Sequence, residues 1–188
     1  MSRRLPPMLL PAVALPFAAA SAQHSPNAGE PGRDIKALSG REVADLLAGR
    51  GMGMARPAEL NGYPGPMHVL ELRDRLGLTP EQEAAVRASF ARMEAAAKPL
   101  GAELIERERA LDRAFAGGAP DMEAVRSMTA AIGDVQGRLR AVHLAAHVET
   151  RAVLSGEQVR AYDALRGYSR VEGAPERHGD AHGHGRTH

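Results

Sequence analysis

The chain has 188 residues, of which 44% are hydrophobic, 25% charged and 3% aromatic, and it contains no cysteine. That length suits one compact domain with tails, and 35 Ala against 14 Val plus Ile favours helix over sheet. Without cysteine, disulfide frameworks, thiolate catalysis and Cys-based zinc sites are excluded, so any metal is held by nitrogen, oxygen or thioether ligands.

Arg3 and Arg4 precede an acid-free apolar run from Met8 to Ala20, and Ala20-Ser21-Ala22 fits the small-x-small cleavage pattern. Residues 1–22 therefore read as a cleaved secretory signal, because the run is too short for a bilayer and is interrupted by Pro11 and Pro16. The expected address is the bacterial periplasm. Removing the leader takes away two Arg and no acid, so the formal charge of +1 becomes −1. A near-neutral chain with interspersed charges and five remaining aromatics offers no basic stripe or stacking platform, and nucleic acid is not an expected partner.

Residues 23–38 are rich in Pro, Gly and polar side chains and read as a flexible spacer. Ser39-Gly40-Arg41-Glu42 is a capping-box pattern ahead of Val43, Leu46 and Leu47, which predicts a short helix ending near Arg50. The Gly- and Pro-rich stretch from Gly51 to Pro66 reads as a long loop, and Met67 to Leu76 as helical again.

Two copies of one device dominate the remainder: Leu78-Thr79-Pro80-Glu81-Gln82 and Leu154-Ser155-Gly156-Glu157-Gln158. In each, the hydroxyl accepts from the backbone N–H three residues on, while the Gln amide reaches back, so Thr79 with Gln82 and Ser155 with Gln158 start helices. Leu154 and Val159 are placed to form a hydrophobic staple in the second copy. After Thr79, apolar positions from Val86 to Phe115 alternate spacings of four and three. Beyond Gly117-Gly118-Ala119-Pro120, Asp121 caps a second seam from Val125 to Val153.

At about 1.5 Å per residue each long helix spans roughly 50 Å. Reflection about the Gly-Gly turn places Pro99 and Gly101 opposite Gly137 and near Gly133, which predicts a shared bend or close approach. The fold class is thus all-α: a four-helix chain over 39–168, dominated by a long, curved antiparallel hairpin, with residues 169–188 as a disordered His-rich tail. Such a hairpin cannot bury its seam alone, so a homodimer is expected.

Two Leu-Thr/Ser-x-x-Gln boxes flanking a helical hairpin, behind a secretory leader and without cysteine, resemble the LTxxQ-motif superfamily of periplasmic stress proteins. That superfamily includes the Spy/CpxP-type chaperones and the heavy-metal-resistance proteins. The resemblance covers Met67 to Tyr168. The stretches from Leu70 to Thr79 and from Arg160 to Tyr168 look like the heavy-metal-resistance branch, although Ser155 and Gly156 stand where Thr and Pro are usual.

The resemblance implies a helical, dimeric protein of one of two kinds. One binds transition metals and reports them to an envelope stress or resistance system, with a membrane-bound sensor as partner; the other shields unfolded periplasmic proteins. The metal ligands do not carry over. In register with the family's cobalt and nickel sensor, its ligand positions fall on Val69, Arg73, Phe90 and Ala146, which do not bind metal.

Candidate ligands of the chain's own are of three kinds. His178, His182, His184 and His188 stand within eleven residues of Gly-rich tail, where neutral imidazoles suit zinc, nickel or copper(II) with modest affinity, since ordering the tail costs entropy. His143 and His147 share a helix face, and the reflected register puts Glu94 opposite His143, a two-His-one-carboxylate arrangement that nearby Arg140 and Arg151 oppose. Two amphipathic histidines at the seam edge are the alternative. Met52, Met54, Met67 and His68 form a set whose chemistry suits copper(I), although loop methionines more commonly supply adaptable apolar contacts.

Glu108 and Glu149 interrupt the seams and pair either with a partner or with an Arg such as Arg109 or Arg126. No P-loop, HExxH or GxSxG pattern occurs, and no nucleophile is assembled with a base, so an enzyme is not expected.

Overall fold

The computed structural model describes residues 30–118 and 120–168. The chain divides into two compact units, Met1–Gly32 and Arg33–His188. Of the first, a 3-10 turn at Glu30–Gly32 is described. The seven α-helices among the described residues belong to the second: α1 (Gly40–Leu47), α2 (Arg56–Glu59), α3 (Pro66–Glu71), α4 (Arg73–Leu76), α5 (Pro80–Ala116), α6 (Met122–Val153) and α7 (Gly156–Arg166). There is no strand among them. The expected leader, the first part of the expected spacer and the histidines His178, His182, His184 and His188 lie outside the described residues.

Local chemistry sets the helix starts. Ser39, Thr79 and Ser155 each take an extended N-cap conformation and form complete capping boxes with Glu42, Gln82 and Gln158. Asp121 caps α6 by accepting from the Ala124 N–H at 2.7 Å. Gly77 and Gly167 end α4 and α7 in the left-handed conformation that only glycine adopts without strain.

Helices α5 and α6, 37 and 32 residues long, pack antiparallel. Ser89 faces Glu149 and Glu103 faces Arg138, which is the reflected register to within one helical turn. Three helices, α2, α3 and α4, stand where a long loop and one helix were expected. The Gly51–Pro66 stretch contains α2, and the segment after it breaks at Leu72 into α3 and α4, so seven helices stand where four were expected.

These short helices answer the hairpin's need for partners within one chain. Helix α1 packs on α5, α3 on α5 and α6, and α4 on α7. The result is two apolar clusters. One joins Leu46 of α1 to Ala97, Leu104 and Ile105 of α5 and Ile132, Val135 and Leu139 of α6. It also takes in Ile35, 2% exposed, so the end of the expected spacer belongs to the core. The other, toward the box end, joins Val69, Leu76, Val86, Leu154, Val159 and Tyr162. Toward the turn, Phe115 of the first seam and Met122, just ahead of the second, are exposed.

Gly101 explains how α1 gets so near. A Cβ there would lie 2.2 Å from the Leu46 carbonyl oxygen, whereas a Cβ on Gly133 or Gly137 would meet nothing within 4 Å. The close approach foreseen between α5 and α6 at this level is therefore made between α5 and α1.

Candidate functional site

The two boxes meet. Each Gln Oε1 accepts from its own N-cap N–H, at 3.1 Å for Thr79 and 2.9 Å for Ser155. The two amides then exchange hydrogen bonds, Gln82 Nε2 to Gln158 Oε1 and Gln158 Nε2 to Gln82 Oε1, both at 2.9 Å. The second N–H of each amide goes to a carbonyl ending a helix: Gln82 to Val153 at 3.0 Å and Gln158 to Leu76 at 3.3 Å. Carbonyls at a helix end lack intrahelical partners, so each Gln serves its own helix start and another helix's end. The boxes are thus the joint that holds α4, α5, α6 and α7 together.

Between the two apolar clusters, level with Phe90 to Glu94 on α5 and His143 to His147 on α6, the surface opens into a groove of about 740 Å³. Its opposite wall is the end of α1, the Gly49–Arg56 loop and the start of α3. Ligand sites favour such concavities between helices.

His143 is 3% exposed, and its Nε2 is buried with no hydrogen-bond partner. Burial, reinforced by neighbouring His147, pushes its pKa below the ordinary histidine value, so the ring is neutral at neutral pH. A Cβ on Gly51 would come 3.4 Å from its Nδ1. His147, half-buried, stands 2.7 Å from the Tyr63 carbonyl through Nδ1. A carbonyl only accepts, so that nitrogen carries the proton and donates, leaving Nε2 with the lone pair in the neutral ring. Gly65 is the neighbour of that second nitrogen, where a Cβ would approach to 3.1 Å.

Below His147 lies a carboxylate that pattern reading missed. Glu59 of α2 accepts from the Tyr162 hydroxyl through Oε1 and from the Gly65 N–H at 3.0 Å through Oε2, with His147 Nδ1 at 3.5 Å and Arg166 Nε at 3.9 Å. Burial and the Glu59 charge raise the Tyr162 pKa far above the usual phenol range, so it remains a donor. Glu59 is the sole acid between Gly51 and Pro66, and that was the signal available.

The expected Glu94–His143–His147 triad is only partly assembled. All three line the groove, but the Glu94 carboxylate pairs with Lys98 at 3.3 Å. Among the described residues no group of three or more His, Asp or Glu is placed to hold a metal ion. Met52, Met67 and His68 also line the groove, whereas Met54 packs against the α1 cluster. His68 Nδ1 is engaged by Glu71 at 2.9 Å. Of the seam acids, Glu149 accepts from Ser89 and Arg92, both at 2.7 Å, in place of Arg126. Glu108 is half-buried, and desolvation raises its pKa.

The described residues thus form an all-helical hairpin whose ends are joined by two Gln boxes, with a histidine-lined groove between its clusters. Residues 43–161 match the model of the heavy-metal-resistance family, from within α1 to within α7, and the chain belongs to that family. Comparison with curated proteins gave no match, and neither did comparison with solved structures.

Proposed function

We propose that this heavy-metal-resistance family member is a periplasmic protein that binds transition metals and takes part in the envelope response to metal stress. The observation that carries the reading is the family's hairpin presenting two imidazoles, His143 and His147, on the wall of one open groove. The four histidines of residues 178–188 add a second donor set in the sequence, suited to zinc, nickel or copper(II). A homodimer and a membrane-bound sensor are the partners this reading supplies.

The test is calorimetric titration of zinc, nickel and copper(II) into the full chain and into a variant with His178, His182, His184 and His188 all changed to Ala. Binding abolished in the variant makes the tail the chelator; binding that persists moves it to the helical body. No binding to either protein below about millimolar metal sinks the reading.

A second reading is an ATP-independent holdase for unfolded periplasmic proteins. It is favoured by the exposed apolar side chains Leu47, Leu60, Tyr63, Phe115, Met122 and Val148. Suppression of client aggregation by the tail variant, with no metal bound, would establish it over the first.

A further inference from the structure

We infer that the groove itself is a site for a soft monovalent cation, copper(I) or its analogue silver(I). The ligands are the thioethers of Met52, Met67 and Met93 together with the imidazole of His143. The inference deepens the metal-binding reading and rests on it.

Elimination carries the first step. The groove's carboxylates are committed: Asp45 to Arg50 at 3.1 Å, Glu94 to Lys98 at 3.3 Å, and Glu59 to Tyr162 and the Gly65 N–H. A hard or borderline divalent ion would have to break these pairs to gain an oxygen ligand. The donors left are imidazole and thioether; magnesium and calcium call for oxygen, and the three soft thioethers are what favour copper(I).

Local structure carries the second. Three of the chain's eight methionines line this one groove, from three separate elements: the loop after α1, helix α3 and helix α5. Met52 is the only non-glycine residue among those described with positive φ, at 45°, a conformation that side-chain-bearing residues rarely adopt and that clusters at functional sites. The turn is held by the Met54 N–H donating to the Gly51 carbonyl at 2.7 Å. Met52 and Met67 are 41% and 47% exposed, so neither is placed there by the demands of a core.

His143 supplies the third. It lines the groove, glycine at position 51 keeps a side chain off its Nδ1 edge, and its other nitrogen, Nε2, is buried without a partner. The nitrogen that faces Gly51 and the groove is Nδ1, and that is the atom a ligand there would meet. His147 lines the same groove with its Nδ1 proton held by the Tyr63 carbonyl, so its Nε2 is a further imidazole donor beside the four named.

The experiment uses the full chain carrying the four tail His→Ala changes, titrated anaerobically with copper(I) against a chromogenic copper(I) chelator. Silver(I) is followed in parallel by NMR of methyl-labelled methionine. The expected result is one ion per chain, with the methyl resonances of Met52, Met67 and Met93 shifted and those of Met122 and Met128 unmoved. His143→Gln and the triple Met52→Leu, Met67→Leu, Met93→Leu variant should each weaken binding at least tenfold while keeping the far-UV circular dichroism of the parent. Met122→Leu should leave affinity unchanged.

Absence of binding, shifts confined to other methionines, or full affinity in the folded triple variant overturns the inference. Zinc, nickel or copper(II) binding to the unmodified chain survives each of those outcomes. Failure of the groove site is thus separable from failure of the broader metal-binding reading.

Discussion

The box end and the groove lie side by side on the same two helices and are built on opposite principles. At the box end two Gln amides satisfy their own N-caps, each other and two helix-ending carbonyls around fully buried Val69, Val86 and Tyr162, while Asp163 Oδ1 of α7 is buried without a hydrogen-bond partner. In the groove the local rules are broken, with Met52 in a left-handed conformation and His143 Nε2 buried without a partner. Satisfied networks specify one structure, and departures from local rules collect where a protein does something else with the energy. The boxes are the joint of the fold, and the groove is where the proposed metal chemistry would sit.

The largest effect should come from the contact that positions the groove's far wall. Gly101→Ala sets a Cβ 2.2 Å from the Leu46 carbonyl, so α1 must move and its packing on α5 is lost. We expect a loss of about 3 kcal/mol in urea unfolding, the upper end for overpacking, with amide resonances moving in α1 and the Gly49–Arg56 loop and little change around the boxes. Changes spread evenly over both ends would remove the distinction between them.

Next come Gln82→Ala and Gln158→Ala. Each removes half a capping box and leaves a half-buried amide and a helix-ending carbonyl unserved, for an expected cost of about 2 kcal/mol each. Since both variants destroy the same reciprocal pair, the double variant should cost clearly less than the sum. Strict additivity in denaturant titrations would mean that the amides act independently and the joint is no unit.

The smallest of these effects is a pH dependence belonging to the groove. Native His143 resists protonation while the unfolded chain protonates near the ordinary value of 6.5. The unfolded state therefore binds the extra proton. Stability is complete above that pH and falls as the pH drops below it, until the native ring also protonates, by at most about 1.4 kcal/mol per pH unit. His143→Gln should flatten that slope between pH 6.5 and 5. A slope unchanged in the variant would place the acid sensitivity elsewhere.

What was legible in the sequence was local. Ser39, Thr79, Asp121 and Ser155 announce their helices because a cap is decided within four residues, and the two seams announce the hairpin because heptad spacing is a property of one helix. Contacts between distant segments left no such mark. Glu59 bonds to Tyr162 across 103 residues, and nothing in the Gly- and Pro-rich stretch around it encodes that partner. Gly101 was legible as a place of close approach, but the helix that uses it was not, because a missing side chain says that something comes near without saying what. The histidines were found by type and spacing. Their difference, one ring proton held by Tyr63 and the other ring unpartnered, depends on packing from the opposite wall.

The paired amides also set an order of events during folding. Gln82 and Gln158 are 76 residues apart, and closing a flexible loop of that length costs about 4 kcal/mol of chain entropy, more than two neutral hydrogen bonds return. The Gly117–Gly118 turn removes that obstacle, since zipping α5 against α6 from the turn brings the two residues together step by step. The amides then close as a latch on a hairpin already formed, late in folding and early to release when the chain begins to open.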